Sequence, residues 1–257
     1  MIDMDGVIYA GEKLVAGADR FVAALLRKKI PFTFLSNNSQ RSRAEAVEHL
    51  AGYGIDVEEK HIYTSAMATA TFLKDQDPGC RAYVLGEGGL LKSIEHAGIQ
   101  LVEKKPDYVI LGEGHDFSLK QVHEAVDMIL AGARFIATNR DPSPRKAGWN
   151  NLGIAATAAM IEEGSGCKAF VIGKPSPVMM RSASANMGLQ PAQTTVVGDT
   201  METDIQGGVY MGFKTILVLS GIAAKEKLNA YAFKPNLVVD SVDQIKFPLP
   251  WWKPKTK

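Results

Sequence analysis

Asp3 and Asp5 stand two positions apart in the run Asp3-Met4-Asp5-Gly6-Val7. Two carboxylates this close oppose each other unless a cation lies between them, and a divalent metal would serve. The same letters also read as a tight turn, because Asp-Gly between apolar residues is a good turn signal. Leu35-Ser36-Asn37-Asn38 leaves an apolar run and presents a hydroxyl and two amides, donors suited to phosphate oxygens, or an Asx or Ser turn. Gly173-Lys174-Pro175-Ser176-Pro177 offers an ammonium followed by a helix start that accommodates proline, or simply a solvated lysine. In Thr195-Val196-Val197-Gly198-Asp199-Thr200-Met201-Glu202-Thr203-Asp204, an apolar strand runs into Asp199, with Asp204 five positions on. Asp204 could merely cap a helix. An acid placed directly after a buried strand, as Asp199 is, is harder to explain by structure alone.

The elements that must carry these residues alternate. Short apolar, β-branched runs occur at 31–35, 81–85, 108–111, 134–138, 170–172, 194–197, 215–219 and 237–239, with helical spacing at 17–29, 41–53, 119–131 and 176–187 between some of them. That rhythm predicts an α/β fold built on parallel sheets. Most of the runs end in Gly, Ser or Asn, at the carboxyl end where open α/β sheets keep their ligands.

The order DxDG, (S/T)NN, GKP, GDxxxxD closely resembles the haloacid dehalogenase superfamily of aspartate-nucleophile phosphatases. The segments LSNNSQR at 35–41 and GKPSP at 173–177 are similar to its NagD-like and p-nitrophenylphosphatase-like subgroup, and the resemblance covers nearly the whole chain. It implies a Rossmann-like core of residues 1–65 and 173–257 with an inserted α/β cap at 66–172. The spacing supports an insertion independently, since 138 positions separate Ser36 from Lys174 but only 25 separate Lys174 from Asp199.

The resemblance further implies a Mg²⁺-dependent phosphatase. Asp3 would be the nucleophile and Asp5 the general acid and base. Asp3, Asp5 (through its backbone carbonyl), Asp199 and Asp204 would serve the metal, and Ser36, Asn37, Asn38 and Lys174 would bind the phosphate. The substrates implied are small phosphorylated metabolites such as sugar phosphates or nucleoside monophosphates. In the cap, Thr138-Asn139-Arg140-Asp141 is similar to the subgroup's TNxD segment, and Arg140, Asp141, Arg145 and Trp149 either reach a leaving group or form a solvated loop. One departure concerns the start: only Met1 and Ile2 precede Asp3, so the expected central first strand is either very short or has lost residues.

Composition bounds the alternatives. With 29 basic and 28 acidic residues, no net field favours nucleic acid. Cys80 and Cys167 lack metal or redox spacing, no run approaches the roughly 20 apolar residues of a membrane span, and the first residues do not read as a signal peptide. A cytoplasmic protein is expected. Gly86-Glu87-Gly88-Gly89 lacks the full dinucleotide fingerprint. Trp251-Trp252 suits either packing on the core or contact in a homo-oligomer. Two other readings stay open: a catalytically silent metabolite binder, and a phospho-accepting receiver module, against which length and insertion argue.

Overall fold

A computed structural model describes residues 1–114, 117–142 and 153–252. The α/β expectation holds, in two parallel arrangements that share one hydrophobic cluster. In the first, β3 (Phe34–Ser36) pairs with β4 (Ile62–Thr64), while β10 (Thr195–Gly198), β11 (Lys214–Val218) and β12 (Leu237–Val239) pair in that order, all parallel. The N-terminal segment joins the two groups. Ile2 bridges both Phe34 and Val197 in parallel sense.

The central position expected for the first segment is thus observed, with a single bridged residue. Its hydrogen bonds are nevertheless complete on both sides: Ile2 N–H donates to Thr33 at 2.9 Å and Leu35 N–H to Ile2 at 2.8 Å. Asp3 N–H donates to Val197 at 2.8 Å and Val197 N–H to Met1 at 2.9 Å. Asp3 therefore leaves the sheet with its backbone fixed from both neighbours.

After the Asp5-Gly6 turn, which is present with Gly6 at φ 73°, β1 (Tyr9–Ala10) and β2 (Lys13–Leu14) form a small antiparallel ribbon. Helix α1 (Ala18–Arg27) buries Ala18, Phe21, Val22 and Leu25, the i, i+3, i+4, i+7 stripe of an amphipathic helix. Helix α2 (Arg43–Ala51) begins in a reciprocal cap between Ser42 and Glu45.

The second sheet has five parallel strands in the order β6–β5–β7–β8–β9: β6 (Gln100–Leu101), β5 (Arg81–Leu85), β7 (Tyr108–Leu111), β8 (Arg134–Ala137) and β9 (Phe170–Val171). Helices α4 (Gly89–His96), α5 (Leu119–Leu130) and α6 (Gly153–Ser165) lie along the same stretch of chain, and α3 (Ser65–Gln76) packs against both β4 of the first sheet and α4. Helix α7 (Pro177–Asn186) follows β9, and α8 (Gln206–Tyr210) continues a wide π-type turn over Met201–Ile205. A buried cluster containing Leu35, Tyr63, Leu90, Ile110, Ile136, Ile172, Met179 and Val196 draws on both sheets. No described helix is long and apolar enough to cross a membrane. Trp251 packs against the core and donates its indole N–H to Thr195 Oγ1 at 3.1 Å.

Candidate active site

Five strand ends converge. Asp3 follows the bridged Ile2, Ser36 closes β3, Lys174 lies just beyond β9, Asp199 directly follows β10, and Ser220 to Ile222 follow β11. Parallel strands place all their carboxyl ends at one edge, so residues remote in sequence meet there.

Lys174 sits at the centre, only 4% exposed, with Nζ 2.8 Å from Asp3 Oδ1 and 2.8 Å from Asp204 Oδ1. Burial would lower its pKa. The flanking carboxylates of Asp204 and Asp3 outweigh that and hold the ammonium well above its usual range. Asp204, in the π-type turn, also accepts from Thr200 N–H at 3.3 Å. Burial pushes its carboxyl upward, against the pull of Lys174.

Asp199 is 2% exposed and held by Ile222 N–H to Oδ2 at 2.7 Å and Thr200 Oγ1 to Oδ1 at 3.0 Å. Two glycines make room for it. A Cβ on Gly6 would lie 2.3 Å, and one on Gly221 2.0 Å, from Asp199 Oδ2. Burial and the charge of Asp3 raise the Asp199 carboxyl above its ordinary value.

Asp3, Asp199 and Asp204 each offer a carboxylate oxygen within 4.8 Å of the others. Asp5 lies beside them with one side open to solvent, and its carboxyl is raised by desolvation and by Asp3. Four carboxylates against Lys174 leave negative charge that a hard divalent cation would balance, and an all-oxygen donor set suits magnesium. The residues present therefore fit such an ion.

The Ser36-Asn37-Asn38 turn divides its labour. Ser36 Oγ accepts from Asn38 N–H at 3.1 Å, which leaves its own proton to donate. The Asn37 side chain braces the lysine: its Oδ1 accepts Lys174 N–H at 2.7 Å and its Nδ2 donates to Lys174 C=O at 3.1 Å. Asn38 Oδ1 accepts from Arg41 N–H at 2.8 Å and shapes the local turn. The Asn37 amide expected to face phosphate is thus committed within the protein through both its atoms, whereas Asn38 commits its Oδ1.

Asp141 comes from the second half of the molecule and accepts from Asn37 Nδ2 at 3.0 Å; desolvation raises its carboxyl. Arg140 points elsewhere, to the buried Glu162. Arg145 and Trp149 lie outside the described residues. Sequence reasoning did not single out Ser39, Glu113, Thr200 or Ile222. Nothing in a lone polar or apolar residue after a strand distinguishes these roles; only the fold brings them to the site.

Comparison with known proteins matches the same architecture. The family model described as haloacid dehalogenase-like hydrolase matches residues 1–100, and one described as HAD-hydrolase-like matches residues 171–245. Dihydroxyacetone phosphatase of Corynebacterium glutamicum is 38% identical over 94% of this chain and 88% of its own length. The ribonucleotide monophosphatase NagD of Escherichia coli is 38% identical, covering 95% of this chain and 96% of its own, and its solved structure superposes with a TM-score of 0.91. A glycerol phosphate phosphatase of Mycobacterium tuberculosis, solved in complex with magnesium, is 28% identical, covers 94% of this chain and 74% of its own, and gives a TM-score of 0.87.

Proposed function

The chain belongs to the haloacid dehalogenase-like hydrolase family and is a phosphoric monoester hydrolase; from that premise we propose that it is a Mg²⁺-dependent phosphatase working through an aspartyl-phosphate on Asp3. Its substrates are small phosphate monoesters, sugar phosphates or nucleoside monophosphates, in keeping with the relatives' names. We read residues 66–172 as a cap inserted into a catalytic core of 1–65 and 173–257, in a cytoplasmic protein. The observation that carries the mechanism is the Asp3 carboxylate held 2.8 Å from the Lys174 ammonium within the Asp3, Asp199, Asp204 cluster.

Asp3 oxygen attacks phosphorus, and the P–O bond to the leaving alcohol breaks as Asp5 gives that alcohol its proton. A raised carboxyl beside the nucleophile suits this role. Asp5, now ionised, takes a proton from water, which attacks phosphorus, releases inorganic phosphate and restores Asp3. Asp3, Asp199, Asp204 and the backbone carbonyl of Asp5 would hold Mg²⁺, which when bound would supply positive charge opposite the phosphoryl oxygens; the mutual approach of the Asp3, Asp199 and Asp204 carboxylates supports this.

Positive charge matters because a carboxylate approaching a phosphate dianion meets two like charges. At 4 Å and an effective dielectric near 20, each costs about 4 kcal/mol. Roughly 8 kcal/mol left unopposed would slow the step about a million-fold. Lys174 opposes that repulsion directly, and Ser36 donates its hydroxyl proton to a phosphate oxygen. Asn37 and Asn38 act by holding Lys174 and the turn.

The test is a panel of phosphate esters with and without Mg²⁺, on wild type and Asp3→Asn. Metal-dependent phosphate release that the substitution abolishes, with the fold retained, is expected. Undiminished turnover in Asp3→Asn would refute the covalent route. Metabolite binding without turnover in wild type would favour a silent binder.

A further inference from the structure

We infer that Glu113, from the 66–172 segment, is a positioning residue for the Ser36–Asn38 turn and Lys174, acting through Ser39, Asn139 and Asn37. This rests on the phosphatase reading above and extends it to a residue that acts only through others. Glu113 lies just beyond β7, while Thr138 and Asn139 follow β8, so the second sheet presents both at its carboxyl edge. There they meet the loop that leaves β3 of the first sheet.

The contacts form a continuous relay. Glu113 Oε2 accepts both the backbone N–H and the hydroxyl of Ser39, and Glu113 N–H donates back to Ser39 Oγ at 2.9 Å. Thr138 Oγ1 donates to the same Ser39 Oγ at 3.3 Å. Glu113 Oε1 accepts from Asn139 Nδ2 at 3.0 Å, and that nitrogen also donates to the Asn37 carbonyl at 2.8 Å. Asn37 in turn clasps the Lys174 backbone through both atoms of its amide. From Lys174 Nζ it is 2.8 Å to Asp3.

Chemistry explains why a carboxylate occupies this position. Three donors converge on its two oxygens, and Ser39, Thr138 and Asn139 are all 0% exposed. A glutamine would set its own N–H₂ against either the Ser39 pair or Asn139. A buried carboxylate is costly unless fully hydrogen-bonded, and once satisfied such a network specifies one arrangement of its loops. A neighbouring contact reinforces the docking: Gly89 N–H donates to the Gln40 carbonyl at 2.5 Å. The 86–89 stretch thus serves loop packing.

The experiment uses the full chain with Mg²⁺. Steady-state hydrolysis of p-nitrophenyl phosphate, affinity for inorganic phosphate by calorimetry, and thermal midpoint are compared for wild type, Glu113→Gln, Asn139→Ala, the double variant and Ser39→Ala. Displacing reacting groups by about 1 Å can cost about 100-fold in rate. A fall of about that size in kcat/KM is expected for Glu113→Gln and Asn139→Ala, with phosphate binding about ten-fold weaker. Because the two act as one unit, the double variant should fall no further than the worse single. Ser39→Ala removes one oxygen and keeps its N–H on Glu113; about a ten-fold loss is expected, and this variant decides the matter if the others do not fold. Wild-type kinetics and phosphate affinity in folded variants would overturn the inference. So would a lowered thermal midpoint with kinetics unchanged at 25 °C, which would assign Glu113 to the fold alone. Failure of wild type to release phosphate defeats the phosphatase reading instead, and the phosphate affinities then still judge Glu113.

Discussion

Asp3, Asp5, Asp199 and Asp204 crowd around Lys174, and this excess of negative charge is the governing fact at the residue scale. A bound divalent cation relieves it, so Mg²⁺ should stabilise the folded chain: at a hundred-fold excess over Kd the linkage gain is about 2.7 kcal/mol. Calorimetric melting with increasing Mg²⁺ should show the midpoint climbing. Gly221→Ala should abolish the climb, because its Cβ would lie 2.0 Å from Asp199 Oδ2 and displace that carboxylate. A midpoint indifferent to Mg²⁺ in wild type would argue against a metal at the cluster. Asp3, Lys174, Asp199 and Asp204 were legible before any coordinates because their four motifs stand in the order of the family they resemble; taken singly, only Asp199, an acid directly after an apolar run, was conspicuous. Glu113 was not, and Ser39 and Asn139 stood only as letters within the LSNNSQR and TNxD segments, with no role assigned. Each is an ordinary turn residue until the second sheet is laid against the first.

At the scale of elements, the loop from Asn37 to Ser42 must stop where α2 starts. Ser42 accepts Glu45 N–H at 3.3 Å and Glu45 reciprocates to Ser42 N–H at 2.7 Å, so the helix start is satisfied locally. Ser42→Ala should cost about 1 kcal/mol, read as an earlier urea midpoint, with turnover at 25 °C little changed. A shift of several kcal/mol would mean that the cap carries more than its own helix. Helix spacing at 41–53 anticipated α2, although Ser42 and Gly52 terminate it at Arg43–Ala51. The β1–β2 ribbon and β4 went unseen, since pieces of two or three residues are too short to establish a period of two. The Asp5-Gly6 turn and the close pair of carboxylates, offered as rival readings, coexist: Gly6 takes the turn at φ 73° while the charge of Asp3 still acts on Asp5.

Across the whole molecule, the second sheet's half is anchored by a buried acid outside the Asp3, Asp199, Asp204 cluster. Burial alone would raise the Glu162 carboxyl, but Ala169 N–H at 2.9 Å, Arg140 and Lys168 at 3.1 Å hold it at about 2. A carboxyl depressed in the folded state contributes stability that is present above its unfolded value near 4.3 and is lost as pH falls toward about 2. Denaturant unfolding of wild type and Glu162→Gln should therefore differ by a constant amount above pH 5, and the gap should shrink between pH 4.5 and 2.5. A constant gap down to pH 2.5 would refute this anchoring. The same Arg140 links Glu162 to the loop that carries Asn139 and Asp141, so stability and site geometry share one segment. Hydrophobic periodicity, a local property, sufficed for the α/β class, and the order of four short motifs carried the resemblance to the family. Which side chains converge at the strand ends and which merely brace others depended on contacts such as that of Met1 with Val197, 196 positions apart. A one-dimensional pattern carries no distance across a sheet, and hydrogen bonding is decided by ångströms.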